Sequence, residues 1–382
     1  MTVTTAPPVV AFALTEEQKL LVDMVRDVLK DRATSERVRE VMLGDDGFDE
    51  VLWTELANLG LTGLTIPEQY GGAGSTFTEL SLVFEELGRR LAPVPLLSSV
   101  VLGAEAVLAA GSDEQKGAIL PGVAAGTTRL ALAHLDPAGR LTADPGVRAV
   151  RDGDAWVLDG TAGFVVDGRT ATHLVTAANG PDGLELFVVA GDTAGVERTD
   201  LEVLDLTRPM ASIVYSGVRV QDADRLSGAD AVAALHRALE AGVVAIACEQ
   251  AGGTQETLRT TTAYARDRVQ FGRSIGSFQA IKHRLAEMLV ASESARSAAY
   301  HAARILAAGE REELAIAAPL AKSYCSEIYE QATGHGIQIF GGIGFTWEHD
   351  AHLYFKRAKS SKLLLGDPKH HRAIVGEVLG IA

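Results

Sequence analysis

Apolar residues recur every three or four positions along the first third of the chain, which is the spacing of an amphipathic helix. The first such stripe follows Thr15 and Gln18, which have the spacing of a helix-capping box, and it predicts a helix over residues 15–32. The loop after Gly60 is rich in proline and glycine and interrupts the pattern. A further stripe predicts a helix over 48–59, before this loop, and others predict helices over 76–91, 96–110 and 113–120 after it. We therefore expect a helical N-terminal domain over residues 1–125.

The pattern changes near Gly126, where short runs rich in Val, Leu and Ile replace the helical stripes. Turn dipeptides separate these runs. One of them, Asp152-Gly153, lies between two alternating runs, which is typical of a β-hairpin. These features predict a β-domain over residues 126–225, built as a barrel or a sandwich.

Long alanine-rich stretches with helical spacing fill the rest of the chain. They carry few charges, so they need to pack against several neighbours. They predict helices over 229–267, 277–307, 312–338, 351–363 and 368–379, and a helical bundle domain over residues 226–382. The predicted fold class is mainly α, with a β-domain between two helical domains.

Charge excludes some classes of partner. The chain has 35 basic and 50 acidic residues, a net charge of −15, so its overall field repels nucleic acid and anionic membranes. We find neither a basic, apolar leader nor a run of about 18 apolar residues, so we expect a cytoplasmic protein that does not span a membrane. Cys248 and Cys325 lie in alanine-rich helical runs, and we expect both thiols to be buried and reduced.

Arginines cluster where one long helical run ends and the next begins. Arg266, Arg268 and Arg273 surround Phe271 in the predicted turn, and Ser277 is placed to cap the second helix. Guanidinium groups and the free amides of a helix start suit a phosphate or pyrophosphate. A solvated polar turn is the alternative that composition alone leaves open.

A glycine-rich segment and four histidines near the C-terminus do not predict a dinucleotide-binding or metal site. Gly341–Gly344 follows a predicted helix and not a strand, so it is not a dinucleotide-binding fingerprint. His349, His352, His370 and His371 lack the spacing of a metal-binding motif, and we expect no metal site.

Four segments, in this order, resemble the acyl-CoA dehydrogenase family, and the resemblance covers nearly the whole chain. They are IPEQYGGAG (Ile66–Gly74), RDRVQFGRSIGSFQ (Arg266–Gln279), QIFGGIGF (Gln338–Phe345) and LLLGDPKHHR (Leu363–Arg372). The resemblance implies a helical domain, a central β-barrel and a C-terminal four-helix bundle, assembled as a dimer of dimers. It also implies FAD, held between the barrel and bundle of one subunit while the neighbouring subunit holds its ADP half.

The resemblance assigns residues to that ADP half. The glycines among them let a backbone approach the cofactor closely. The residues implied to contact the adenosine diphosphate across the dimer interface are Arg268, Gln270, Phe271, Gln279, Gln338, Gly341 and Gly342.

The catalytic position departs from the family. Its members remove the α-proton of an acyl-CoA with a glutamate, while hydride passes from the β-carbon to the flavin. Most carry that glutamate near the C-terminus, where this chain has Leu365, and a minority carry it on the first bundle helix, where this chain has Gly242. Asp367 and Glu240 are nearby substitutes, although a capping role suits Asp367 better and a surface or interface role suits Glu240 better.

The part of the site that binds the flavin ring departs as well. The family uses a hydroxyl-bearing Thr-Glu-Pro-Gly-x-Gly-Ser-like run, where this chain has His134–Arg140. A Trp-x-Thr/Ser element appears here as Phe164-Val165-Val166. The ring half of the site is thus eroded while the ADP half is intact, and the two halves serve different flavins.

Three hypotheses follow from this asymmetry. The first is an α,β-dehydrogenase of acyl-CoA thioesters. It works either as a self-sufficient homo-oligomer or, as we favour, as one subunit of a hetero-oligomer with a related subunit, as in bacterial steroid and short acyl-chain catabolism. The second is a non-catalytic subunit that completes a partner's FAD site. The third is a relative with oxygen-dependent flavin chemistry. The family's habit implies an electron-transfer flavoprotein as acceptor, and the acyl chain is left open.

Overall fold

The computed structural model describes residues 14–45, 47–140 and 144–381. Residues 1–13 of the predicted first domain lie outside this range. Within it, the helices of the first part begin where the chain offers caps. Thr15 and Gln18 form the predicted capping box, and Thr34 caps a helix that the sequence analysis missed. The helices are α1 (Glu16–Arg32), α2 (Ser35–Leu43), α3 (Glu50–Asn58), α4 (Phe77–Arg90), a π-helical segment Leu97–Gly103 that continues as α5 (Ala104–Ala110), and α6 (Asp113–Ala124).

The middle of the chain forms one seven-stranded mixed sheet in the order β1-β4-β2-β3-β7-β6, with β5 paired to β4. The predicted Asp152-Gly153 hairpin is present, and Gly153 has a φ of +63° at its turn. The strands are β1 (Leu130–Ala133), β2 (Val147–Asp152), β3 (Ala155–Val166), β4 (His173–Gly180), β5 (Gly183–Ala190), β6 (Val196–Asp200) and β7 (Met210–Gln221).

The predicted closed barrel is not confirmed. In the described part of the chain, β1 pairs only with β4, and β6 pairs only with β7, so the ladder does not return to its start. The sheet nevertheless has a core of its own, separate from the helical core, in which the ring of Trp156 meets that of Phe187 edge to face at 5.5 Å.

Long helices return after the sheet, as predicted. Helix α9 lies at the centre of this part, in contact with α7, α8, α10 and α11. The elements are α7 (Ala231–Asp267), a small hairpin β8 (Val269–Gln270) and β9 (Arg273–Ser274), α8 (Gln279–Ala308), α9 (Arg311–Phe340), α10 (Ala351–Leu363) and α11 (Pro368–Val378). The order of helices, strands and helices is thus confirmed, while the domain limits at 125 and 225 stay predictions.

Helix α7 crosses α4 at unusually close range. A Cβ atom added to Gly88 would lie 2.0 Å from the carbonyl oxygen of Glu249, and one added to Gly252 would lie 1.9 Å from that of Glu85. Of the described helices, α7 alone has an 18-residue window apolar enough to cross a membrane, but 61% of that window is buried inside the protein. The apolarity of α7 is therefore that of a core helix.

Buried charges join the three parts of the fold. Arg357 of α10 is buried and binds Asp205, from the loop before β7, and Glu249 of α7 at 2.9 Å. Arg208 binds the other oxygen of the Glu249 carboxylate. Ser98 of the π-helical segment donates to Asp167, which follows β3, at 2.6 Å.

We expect Arg357→Met to lower the free energy of unfolding by about 3–5 kcal/mol, because it leaves two buried carboxylates short of a partner. Urea unfolding followed by circular dichroism measures this. The control is Arg372→Met, which removes an exposed pair with Glu327 and should change stability by less than about 1 kcal/mol. Equal effects of the two substitutions would contradict this role for the network.

Candidate functional site

The arginine corner is an exposed hairpin at the end of α7. Phe271 and Gly272 form its turn with φ values of +56° and +77°, and the Phe271 side chain is 88% exposed. The guanidinium of Arg273 lies 4.0 Å from the centre of the Phe278 ring. Arg268, Gln270 and Gln279 are exposed at the same corner. Within the described ranges, no hydrogen bond or ion pair occupies the Arg268 guanidinium.

The predicted capping role of Ser277 is wrong. Ser277 lies in a 3-10 turn, where its hydroxyl donates back to the carbonyl of Ser274 at 2.7 Å. Helix α8 begins two residues later, after Phe278, and no side chain caps it. The first amides of α8 therefore stay available to an anion, as a helix N-terminus offers them.

The structure brings the second signature to the same corner. Helix α9 ends at Phe340, whose carbonyl accepts a hydrogen bond from the Tyr264 hydroxyl of α7 at 3.2 Å. Gly341 follows with a φ of +67°, and a Cβ atom at either Gly341 or Gly342 would meet nothing within 4 Å. Gln338 is exposed beside them. All seven residues implied to hold ADP therefore lie exposed around the joined ends of α7 and α9.

The two base positions meet elsewhere, at the turn between α10 and α11. Leu365 has a φ of +58° in this turn. A Cβ atom added to Gly242 would lie 2.6 Å from Cδ1 of Leu365 and 2.6 Å from Cδ2 of Leu102. The two positions that the sequence analysis assigned to the family's base thus hold a leucine side chain packed against the backbone of a glycine.

Neither substitute carboxylate is placed as a base. Asp367 caps α11 by accepting from the His370 amide at 2.8 Å, and this hydrogen bond holds the pKa of Asp367 below its usual value. Glu240 is half-buried, and burial raises the pKa of its carboxyl. The positive charges of Arg311, His236 and Arg237 act in the opposite direction and lower this pKa.

The stretch that corresponds to the ring-binding run satisfies its own hydrogen bonds. The carboxylate of Asp136 accepts from the amides of Ala138 at 2.9 Å and Arg140 at 2.8 Å, and also from the Arg140 side chain. The Phe164 ring covers this turn, since a Cβ atom on Gly139 would lie 2.5 Å from it. Beside the turn lies a cavity of about 820 Å³ between the sheet and α10, lined mostly by apolar side chains such as Leu135, Leu204 and Leu364.

Comparisons with known proteins cover nearly the whole chain. Residues 15–127 match the family model of the acyl-CoA dehydrogenase N-terminal domain, and residues 232–380 match that of the C-terminal domain. The acyl-CoA dehydrogenase IpdE2 of Mycolicibacterium smegmatis is 34% identical over 367 residues, which is 96% of this chain and 100% of that protein. The chain belongs to the acyl-CoA dehydrogenase family.

Solved structures of this family include hetero-oligomers that resemble the chain. A variant of the Tcur3481-Tcur3483 steroid ACAD has a TM-score of 0.86 and 34% identity, covering 96% of this chain and 98% of its own. The ChsE4-ChsE5 complex from Mycobacterium tuberculosis has a TM-score of 0.87 and 29% identity, covering 97% and 99%.

Acyl-CoA dehydrogenases depend on FAD, and the residues present fit one half of it. The exposed Arg268, the uncapped start of α8 and the open glycines suit a pyrophosphate and its adenosine. At the ring half, the amides of Ala138 and Arg140 are already bound by Asp136, and Phe164 lies on Gly139. The chain therefore has groups that suit the ADP half, while the amides of Ala138 and Arg140 are not free to bind a flavin ring.

One cluster under the Leu365 turn was missed by the sequence analysis. Lys322 of α9 is fully buried, and its ammonium donates to the carbonyls of Lys362 at 3.2 Å and Gly366 at 3.0 Å, and to the Ser326 hydroxyl. Nε2 of the buried His371 lies 3.0 Å from the carbonyl oxygen of Leu365. A lone lysine in the apolar, alanine-rich first half of α9 was the feature of the sequence that could have revealed it.

Burial lowers the pKa of Lys322 to about 7 in the folded protein, despite the favourable charge of Asp367. The neutral His371 side chain also faces it, since burial lowers the pKa of His371 to about 4. In the unfolded chain a lysine titrates near about 10.4. Between these values the unfolded chain binds a proton that the folded protein has released, so stability rises with pH.

We therefore expect the free energy of unfolding of the wild type, relative to Lys322→Met, to increase from pH 7 to pH 9. Below pH 7 this gain is lost, because the folded protein then also binds the proton. Urea unfolding at three pH values measures the slope, with Lys282→Met as an exposed-lysine control. A constant difference between wild type and Lys322→Met would contradict the burial of a titrating amine.

Proposed function

We propose that this chain takes part in the α,β-dehydrogenation of an acyl-CoA as the subunit that completes the FAD site of a related, glutamate-bearing subunit. One observation carries the proposal. Both family base positions, Leu365 and Gly242, are without a carboxylate and are packed against each other. A chain that cannot remove the α-proton still presents Arg268 and the glycine corner to a neighbour's cofactor.

The division of labour follows from what each group can do. When bound, FAD supplies the hydride acceptor of the reaction. Arg268 would neutralise the pyrophosphate, the α8 amides would donate to it, and Gly341 and Gly342 would let the backbone approach the adenosine. The hetero-oligomeric steroid ACAD and the ChsE4-ChsE5 complex support such an assembly by similarity.

The other hypotheses find less support. Oxygen-dependent flavin chemistry through Asp367 is disfavoured, because that carboxylate caps α11. A dimer of dimers with the related subunit, a cytoplasmic location and an electron-transfer flavoprotein as acceptor remain our expectations for the complex.

The decisive measurement is the visible spectrum of the protein purified alone and after co-expression with a glutamate-bearing homologue from the same genome. We expect a colourless protein alone and a yellow complex with about one FAD per pair. One FAD per chain in the isolated protein, bleached by an acyl-CoA, would refute the proposal.

Within that complex, we expect Arg268→Ala to weaken FAD retention by about tenfold to a hundredfold, as a lost charge-assisted hydrogen bond does. Equilibrium dialysis against FAD measures this. The matched control is Arg219→Ala, which removes an exposed guanidinium of the sheet that pairs with Asp152. Equal retention in the two variants would show that the corner does not hold the cofactor.

A further inference from the structure

The loop between α9 and α10, residues 341–350, carries the two glycines assigned to the cofactor. Much of it is exposed, including Gly341, Gly342 and Phe345. An exposed segment has few apolar contacts to order it, so its conformation depends on a small number of polar anchors. The arrangement of those anchors therefore decides whether the glycine corner is already ordered when a cofactor arrives.

Arg39 of α2 anchors the end of this loop that leads into α10. Its guanidinium donates to the Asp350 carboxylate from Nε at 3.0 Å and from Nη2 at 2.6 Å, and Nη1 donates to the carbonyl of Trp347 at 2.8 Å. The Ser35 hydroxyl donates to the same carboxylate oxygen at 2.7 Å. The Arg39 side chain is only 22% exposed, so water screens the pair less than it screens a surface pair. One guanidinium thus holds two points of the loop at once.

Hydrogen bonds within the loop connect this anchor to the glycine end. The carbonyl of Ile343 accepts from the amide of Thr346 at 3.0 Å and from its hydroxyl at 2.9 Å. The carbonyl of Thr346 accepts in turn from the amide of His349 at 3.4 Å. The His349 ring lies against the Phe340 ring, with 4.1 Å between their centres. A Cβ atom on Gly344 would lie 2.8 Å from Cβ of Phe340, so the loop folds back tightly on the end of α9.

The glycine end of the loop has an anchor of its own on α7. The Tyr264 hydroxyl donates to the carbonyl of Phe340, and the two rings meet edge to face at 5.0 Å. Gly341 and Gly342 therefore lie between an anchor on α7 and an anchor on α2. The second of these comes from the N-terminal helices, 311 residues away from Asp350 along the chain.

We propose that Arg39 is a positioning residue of the FAD site, which keeps the glycine corner in its binding conformation before the cofactor arrives. A segment that is ordered in advance loses less conformational freedom on binding, so it binds more tightly. Arg39 acts through Trp347 and Asp350. This inference rests on the proposed function and deepens it, because FAD retention then depends on a residue of the N-terminal helices.

The first test removes the anchor. In the co-expressed complex, Arg39→Met should weaken FAD retention by about threefold to tenfold, because ordering the loop then opposes binding. Equilibrium dialysis against FAD gives both the dissociation constant and the amount bound at saturation. We expect the dissociation constant to rise while the saturation value stays that of the wild type. The control is Arg32→Met, which removes a guanidinium of α1 that pairs with the partly exposed Glu55 and should change neither quantity.

The second test approaches the contact from its other side. Asp350→Asn should also weaken FAD retention, and the double variant with Arg39→Met should lose no more than Arg39→Met alone, because both substitutions break one contact. Hydrogen exchange without FAD provides an independent measure. The amides of Thr346 and His349 should exchange about tenfold faster in Arg39→Met than in Arg32→Met, since local opening becomes easier.

The outcomes separate positioning from a folding defect. Less FAD at saturation with an unchanged dissociation constant would overturn the positioning role, as would equal dissociation constants in Arg39→Met and Arg32→Met. Loss of FAD from Arg268→Ala would show in either case that the shared site itself stands. Failure of the proposed function is seen independently, as flavin bands in the isolated chain, and the same dialysis then tests Arg39 in that protein.

Discussion

A buried guanidinium fixes the position of the last third of the chain. Arg357 is neutralised only because Asp205 reaches it from the loop before β7 and Glu249 from α7. An uncompensated buried charge is unfavourable by several kcal/mol, so α10 cannot slide relative to the sheet or α7. The turn that follows α10 is therefore also fixed relative to the sheet and α7. Glu249 lies two helical turns beyond Gly242 in α7, so the charge pair holds α10 beside the part of α7 that contains Gly242.

The arginine corner and the Gly242 position lie far apart along one helix. Gly242 and Asp267 are 25 residues apart in α7 (242 to 267), about 38 Å along its axis at about 1.5 Å per residue. Changes around Gly242 therefore do not disturb Arg268, which follows the far end. This separation allows the arginine corner to stay exposed while Gly242 is packed against leucine side chains.

Local patterns predicted what local forces decide. The α1 capping box, the Asp152-Gly153 hairpin and the long helices followed from spacing and turn residues, and the arginine corner followed from its motif. The prediction that Ser277 caps α8 is wrong because a serine hydroxyl can donate to a preceding carbonyl, here that of Ser274, as easily as it can accept from a following helix amide. Whether the sheet closes, and which groups bind Lys322, depends on residues far apart in the sequence, such as Lys322 and Gly366. The spacing of residues along a single sequence does not reveal such pairs.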